Sequence, residues 1–419
     1  MSNGVSSSNG VPSRTGTAKP LQVLQIIGNA IVGGMETYVS NLITRLPSDE
    51  FQVTCLCPYE SAFTASLRRL GFKVYITPIQ DDPAWRSVEM AVELIRQHRV
   101  DIIHAHLLNA HTLAGLAGRL TNTPAVTTIH ARTLWAQDIS VSRLTNINLI
   151  VVCQEAYAQA LAAGVPADSV TVIPNGVDTQ KFTPQRSGAA FRETIGVPPE
   201  ATLVGFVGRL DWEKGPDKFV QVADRIRRRR PDVHFVLVGE GPMEAELREM
   251  IAQMGLEGSV HMAGMHRNIE TVYPAFDLLL QTSRSEAMPL ALLEGMACGR
   301  PVVAIGVGGV AELVEGGTNG ILISPGNWSY VASPYPGDWE GVAAAALDLL
   351  KQPARLRQMG QASRKRAEDV FDLHHNVRET AAVFNRLVRP AVMKNGVWQP
   401  TVVRDQSDGE RRVRLRPRT

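Results

Sequence analysis

Apolar and polar positions along this 419-residue chain fall into two successive series of alternating strand and helix patterns. The first series predicts strands at Leu21–Ile27, Gln52–Cys57, Lys73–Ile76, Ile102–His104, Ala125–Ile129, Leu149–Cys153 and Val170–Ile173. A Gly-rich turn follows the first strand, and a helix runs from about Met35 to Leu46, before Pro47. Helices such as Val88–His98 and Ala110–Leu120 fill the other gaps. After Pro174 the run Asn175-Gly176-Val177-Asp178 is turn chemistry, and the Pro/Gly-rich segment to about Glu200 reads as an interdomain connection. The second series predicts strands at Thr202–Val207, His234–Val238, Val260–Met262, Leu278–Gln281, Pro301–Ala304 and Gly320–Ile323. Gly326–Trp339 reads as a surface loop, and helices near Glu340–Lys351 and Asp372–Val388 close the chain.

Such alternation predicts an α/β protein with two doubly wound, Rossmann-like domains facing a central cleft. The expected division is a disordered leader at 1–18, an N-terminal domain at 19–185 and a C-terminal domain at 186–371. A helix at 372–390 is expected to pack back toward the first domain, ahead of a basic, disordered tail at 391–419. Ligands of such sheets bind beyond the carboxyl ends of the strands, so the residues that follow strands are the ones to read for chemistry.

Composition narrows the classes. A net charge of +2 is too balanced for a nucleic-acid protein. Four cysteines are too few for a disulfide framework and suit a cytoplasmic protein. Cys55 and Cys57 alternate on one strand and read as small core residues, since no second Cys/His pair at zinc spacing accompanies them. No apolar run reaches the length of a membrane helix. The tail carries Arg411, Arg412, Arg414, Arg416 and Arg418, diluted by Asp405, Asp408 and Glu410. It reads as solvated, with weak peripheral contact to anionic lipid headgroups at the inner face of the membrane as the alternative.

The most informative stretch runs from Ser283 to Glu294, after the strand Leu278–Gln281. Pro289 favours the first helical turn, which places a helix from about Met288 to Cys298. Glu286 then lies in the loop before the helix, and Glu294 more than a turn inside it. The free N–H groups of a helix start form an anion site where a diphosphate fits. Upstream, Gly208-Arg209-Leu210-Asp211-Trp212-Glu213-Lys214-Gly215 follows another strand, and its two cations can stabilise charge on a leaving diphosphate.

Glu286 and Glu294, with seven residues between them, resemble the E-x7-E motif of retaining GT-B glycosyltransferases, and specifically family 4 of the glycosyl group 1 transferases. Arg209 to Gly215 is similar to the family's G-R-x-x-x-x-K-G motif. The resemblance implies that Glu286 contacts the transferred sugar, Glu294 the ribose hydroxyls, and Arg209 and Lys214 the diphosphate. It extends to Met288, Pro289 and Leu290 at the helix start, and to Gly33 and Gly34 in a loop under the donor. Met265 and His266 lie in the loop that holds the nucleobase. His130 resembles the histidine that contacts the donor sugar, and His106 lies on the acceptor side. Two departures stand out: Ala287 replaces the Gly after the first Glu, and Ala131 replaces the Asp after the His. Gly308-Gly309-Val310-Ala311-Glu312 resembles a Gly-Gly-x-x-Glu segment, and its simpler reading is a helix start after a Gly turn.

The resemblance implies a retaining transferase that moves a hexose or N-acetylhexosamine from a nucleotide-diphosphate sugar to a hydroxyl acceptor, without a metal or other cofactor. The acceptor is a glycan such as a cell-envelope polysaccharide, a glycolipid or a small molecule. The alternatives are a catalytically silent GT-B scaffold or sugar-binding subunit, and a nucleotide-sugar epimerase.

Overall fold

The computed structural model describes residues 19–31, 33–326 and 338–389, with the backbone of 393–394 and 397–398. The expected leader, most of the 326–339 loop and nearly all of the basic tail lie outside the described residues.

The first sheet contains β1 (Leu21–Ile27), β2 (Phe51–Cys57), β3 (Lys73–Ile76), β4 (Ile102–His106), β5 (Ala125–Ile129), β6 (Asn148–Val151) and β7 (Val170–Val172). All neighbours run parallel, in the order β3-β2-β1-β4-β5-β6-β7. The second contains β8 (Thr202–Val207), β9 (Val233–Val238), β10 (Val260–Gly264), β11 (Leu278–Gln281), β12 (Val302–Ile305) and β13 (Gly320–Ile323). It is also parallel, in the order β10-β9-β8-β11-β12-β13. Parallel strands covered by helices on both faces read as nearly continuous apolar runs, which is why these segments are legible as strands. Strand order reverses between β1 and β4 and between β8 and β11, so each sheet has one switch point where loops diverge and leave a crevice.

One face of the first sheet packs Leu24, Ile95 and Leu113, and the other packs Leu42, Phe51 and Phe384. Phe384 belongs to the last long helix, Leu373–Val388, which lies against the first sheet although it follows the second in sequence. The two chain crossings between domains run side by side: Val177 N–H donates to Phe371 O at 2.8 Å and Leu373 N–H to Val177 O at 2.9 Å. Gly176 permits that approach, because a Cβ there would meet Leu373 Cα at 2.7 Å. The largest apolar cluster is continuous across the boundary, joining Ile129, Leu134 and Cys153 to Ala287, Met288 and Val310.

Among the differences from the sequence reading, two concern helices of the second domain. A helix at Pro353–Val370 has no counterpart in it; only Met359, Gly360, Ser363 and Ala367 are buried there, a stripe too small and polar to register as an apolar period. The helix after Glu286 begins at Leu290, with Pro289 in the capping position at φ −71° and ψ 118°. Proline therefore stands one residue outside the first turn rather than within it.

Candidate active site

Lys214 follows β8 and Glu286 follows β11, and these strands are hydrogen-bonded neighbours at the second sheet's switch point. The loops are laced together. Thr282 Oγ1 donates to Gly215 O at 2.8 Å, Arg284 N–H donates to Glu213 O at 2.7 Å, and the Arg284 guanidinium grips Asp217 at 2.8 and 2.5 Å. Gly215 has φ +64°, and a Cβ on it would sit 2.3 Å from Thr282 O, so only glycine fits.

This lacing brings Lys214 Nζ to 2.7 Å from Glu286 Oε2. Glu286 Oε1 accepts from Gln281 Nε2 at 2.7 Å and from Ser283 Oγ at 2.8 Å. Only 5% of Glu286 is exposed, and three donors fix its carboxylate. A carboxylate oxygen has two acceptor positions, so capacity remains for a ligand hydroxyl. Arg209, by contrast, is largely exposed and pairs with Asp211 and, at 4.0 Å, with Glu213. Carboxylates on its own turn hold the Arg209 guanidinium, whereas Lys214 is held by Glu286. Ala287 has no left-handed backbone, so alanine fits there without strain.

The helix Leu290–Ala297 starts right after this loop, and the N–H groups of Leu290, Ala291 and Leu292 have no acceptor within the helix. Glu294 sits one turn further and accepts from the Tyr273 hydroxyl at 2.7 Å. Burial pushes its carboxyl up to about 7, against the Tyr273 hydrogen bond and the nearby Lys181, which pull it down. Met265 is exposed on the loop after β10, and the His266 ring meets Phe191 edge-on at 5.0 Å.

On the first domain, Gly33 and Gly34 open the helix Gly34–Arg45 beyond β1. Gly34 has open space where a Cβ would be, and buried Glu36 lies beneath Gly33. His130 follows β5 and is half-buried. His106 does not line the acceptor side expected of it. It is fully buried at the end of β4, where its Nδ1 is 3.1 Å from His130 Nε2, so it stands behind His130 and offers no surface to an acceptor. The reason is the length of β4, which continues to His106 and points it into the domain. His104, two residues earlier, is also buried and bonds Thr128 Oγ1 at 2.7 Å. Burial holds His130 down to about 4 and His104 to about 3.

The two rims meet at Gly308-Gly309. With φ +54°, Gly308 lies against the carbonyl of Glu286, and a Cβ on it would also meet the side chain of Arg132, two residues after His130. Glu312 Oε1 accepts from Gln154 N–H at 2.7 Å, capping the first-domain helix Gln154–Ala162 from the second domain. Asn175 Nδ2, in the connection, donates to Met288 O at 2.7 Å. Gly308 therefore stands between the Glu286 loop and the loop that follows His130.

The sequence reading missed Gln281, Ser283, Tyr273, Gln25 and Asn175, which hold the residues it chose. Their signal is positional only: each touches its partner through a neighbouring strand or turn. Among the described residues no three His, Cys, Asp or Glu side chains cluster as a metal site, and no helix is long and apolar enough to cross a membrane.

Comparison with known proteins agrees with this architecture. Residues 189–366 match the family described as Glycosyl transferases group 1, and residues 32–181 match Glycosyltransferase Family 4; together they span more than three quarters of the chain. A lipopolysaccharide core biosynthesis mannosyltransferase of Rhizobium meliloti is 33% identical over 52% of this chain and 61% of its own length, less than two thirds of that protein. A D-inositol 3-phosphate glycosyltransferase of Kineococcus radiotolerans is 27% identical over 88% of this chain and 94% of its own. HepE from Anabaena in complex with UDP-glucose shares the fold with a TM-score of 0.76, at 23% identity over 88% of this chain and all of that one. The chain belongs to the group 1 glycosyl transferases, enzymes of GT-B fold.

Proposed function

We propose that this glycosyltransferase moves a hexose or N-acetylhexosamine from a nucleotide-diphosphate sugar to a hydroxyl acceptor with retention of anomeric configuration. The observation that carries the reading is the Lys214–Glu286 pair at the mouth of the Leu290–Ala297 helix, facing the His130 loop. In this reading the diphosphate lies over the helix start, where free N–H groups and the helix dipole favour anions. Lys214 meets the charge that builds on the leaving nucleotide, with Arg209 released from Asp211 to join it. Fixed by three donors, Glu286 orients the sugar. Glu294 accepts from the ribose hydroxyls, and Met265 and His266 flank the base. Gly33 and Gly34 leave room beside the donor, and the first domain takes the acceptor. The protein's own cations supply the positive field, so no metal is invoked. Relatives named for lipopolysaccharide core synthesis and for D-inositol 3-phosphate support an acceptor that is either a cell-envelope glycan or a small polyol. Localisation follows as cytoplasmic, with peripheral membrane contact left to the basic tail.

The test is a panel of nucleotide sugars offered with these acceptors in the presence of EDTA, with the product anomer read by NMR. Transfer that keeps the donor's configuration and survives chelation is the expected result. An inverted product, or activity restored only by manganese, overturns the mechanism.

A further inference from the structure

Behind His130 lies a buried polar file. His106 Nδ1 is 3.1 Å from His130 Nε2, and His106 Nε2 is 2.9 Å from Gln25 Oε1 on β1. Gln25 and His106 are both fully buried. The two imidazoles stack at 26° with centroids 5.4 Å apart, and Tyr38 stands edge-on to both. Next to His130, Ala131 has no polar side chain with which to hold the ring. A neutral imidazole carries one N–H and one bare nitrogen, and which is which follows from the partners. A carbonyl oxygen only accepts, so Gln25 Oε1 puts the His106 proton on Nε2. That leaves His106 Nδ1 bare, and it accepts from His130 Nε2–H. Nδ1 of His130 is then the one nitrogen left for a ligand, and it carries a lone pair.

We propose that Gln25 and His106 are positioning residues that fix His130 as an Nε2–H imidazole, whose bare Nδ1 accepts a hydrogen bond from a substrate hydroxyl. The inference rests on the reading of His130 as a substrate contact, and it sharpens that reading: the partner is a group that donates. A deoxyfluoro sugar, whose fluorine cannot donate, is rejected at that position. Burial keeps all three neighbouring histidines neutral, His106 well below its ordinary range. His104 faces His106 at a ring distance of 4.2 Å and is itself tied to Thr128, so it does not compete for the Nδ1 of His106.

The test is long-range proton–nitrogen NMR at neutral pH on the full chain labelled with 15N-histidine. His106 and His130 are assigned with His106→Asn and His130→Asn. The wild type should show both rings neutral with the proton on Nε2. Gln25→Met, which keeps the side-chain volume, should give mixed tautomers at both rings. It should also lower kcat about tenfold, as expected for one misplaced hydrogen bond, with nucleotide diphosphate affinity unchanged. A proton on Nδ1 of His130 in the wild type, which a reversed Gln25 amide would impose, overturns the proposal. So does a Gln25→Met enzyme with unchanged tautomers and unchanged kcat. If the wild-type tautomers are as expected but His130→Asn transfers normally, the substrate contact is what fails.

Discussion

The two rims of the crevice solve the same problem of presenting polar groups at a sheet's switch point by opposite means. On the second domain the groups are charged and sit on loops: Lys214, Arg209 and Glu286 lie beyond strand ends. On the first domain the facing group, His130, is half-buried just beyond β5, and the neutral groups behind it, His104, His106 and Gln25, sit within β4 and β1 and are covered on both faces. Desolvation explains the division. A charge survives at a loop because water or an opposite charge is near, whereas a strand interior drives histidine to its neutral form. The difference also appears within the second domain. Glu286 is buried but meets three donors, while Glu294 meets one hydroxyl and is pushed up to about 7.

The largest test of this contrast removes the charge on the second rim. Lys214→Ala should lower kcat by about two to three orders of magnitude, as for loss of preorganised charge stabilisation, with nucleotide affinity less affected. A variant within tenfold of wild type would place the charge stabilisation elsewhere.

The two glutamates separate next. Glu294→Gln should weaken nucleotide diphosphate binding by about tenfold to a hundredfold, the worth of a charged hydrogen bond. Glu286→Gln should leave that affinity nearly intact while lowering transfer. Calorimetry on both variants reads the difference, and equal losses would show that the roles are not divided.

A smaller effect concerns pH. The free Glu294 carboxyl titrates near 7, raised by burial, so it favours folding while protonated, below the ordinary carboxylate range, and that contribution is lost as pH rises through about 7. Hydroxyls that donate to it favour the ionised form. Affinity for an intact nucleotide sugar, whose diphosphate does not titrate here, should therefore rise between pH 6 and 8, by up to about tenfold. Glu294→Gln should show no such slope. A flat wild-type profile would mean that Glu294 is ionised before the ligand arrives.

The smallest effect is at the seam. Glu312→Ala removes the cap that the second domain lends to the helix Gln154–Ala162, and should cost about 1 kcal/mol. Thermal denaturation should show a fall in Tm of a few degrees, and no change would mean that this hydrogen bond does not hold the seam.

Much of the fold was legible along the chain because buried parallel strands write their apolar character continuously. Lys73–Ile76, Ala125–Ile129, Thr202–Val207 and Leu278–Gln281 carry the same bounds in both readings. The helix Pro353–Val370 was not legible, since its buried stripe of Gly360, Ser363 and Ala367 has almost no apolar signal. Glu286, Glu294 and Lys214 could be chosen from local spacing, as they stand next to strand ends and a helix start. The sequence had no means to show that His106 turns inward, because alternation along β4 states that His104 and His106 share a face, not which face it is.

What the sequence determined by itself is the set of elements and the chemistry that follows strands, because both are written in residues close together along the chain. Only the tertiary structure decided the partners. Lys214 and Glu286 are 72 residues apart, His106 and Gln25 are 81, and Glu312 and Gln154 are 158, and their meetings depend on strand order and on how one domain leans on the other. Local pattern carries no information on such distances. It is the burial of both sheets, with the last helix crossing back over the first, that brings these groups within hydrogen-bonding reach.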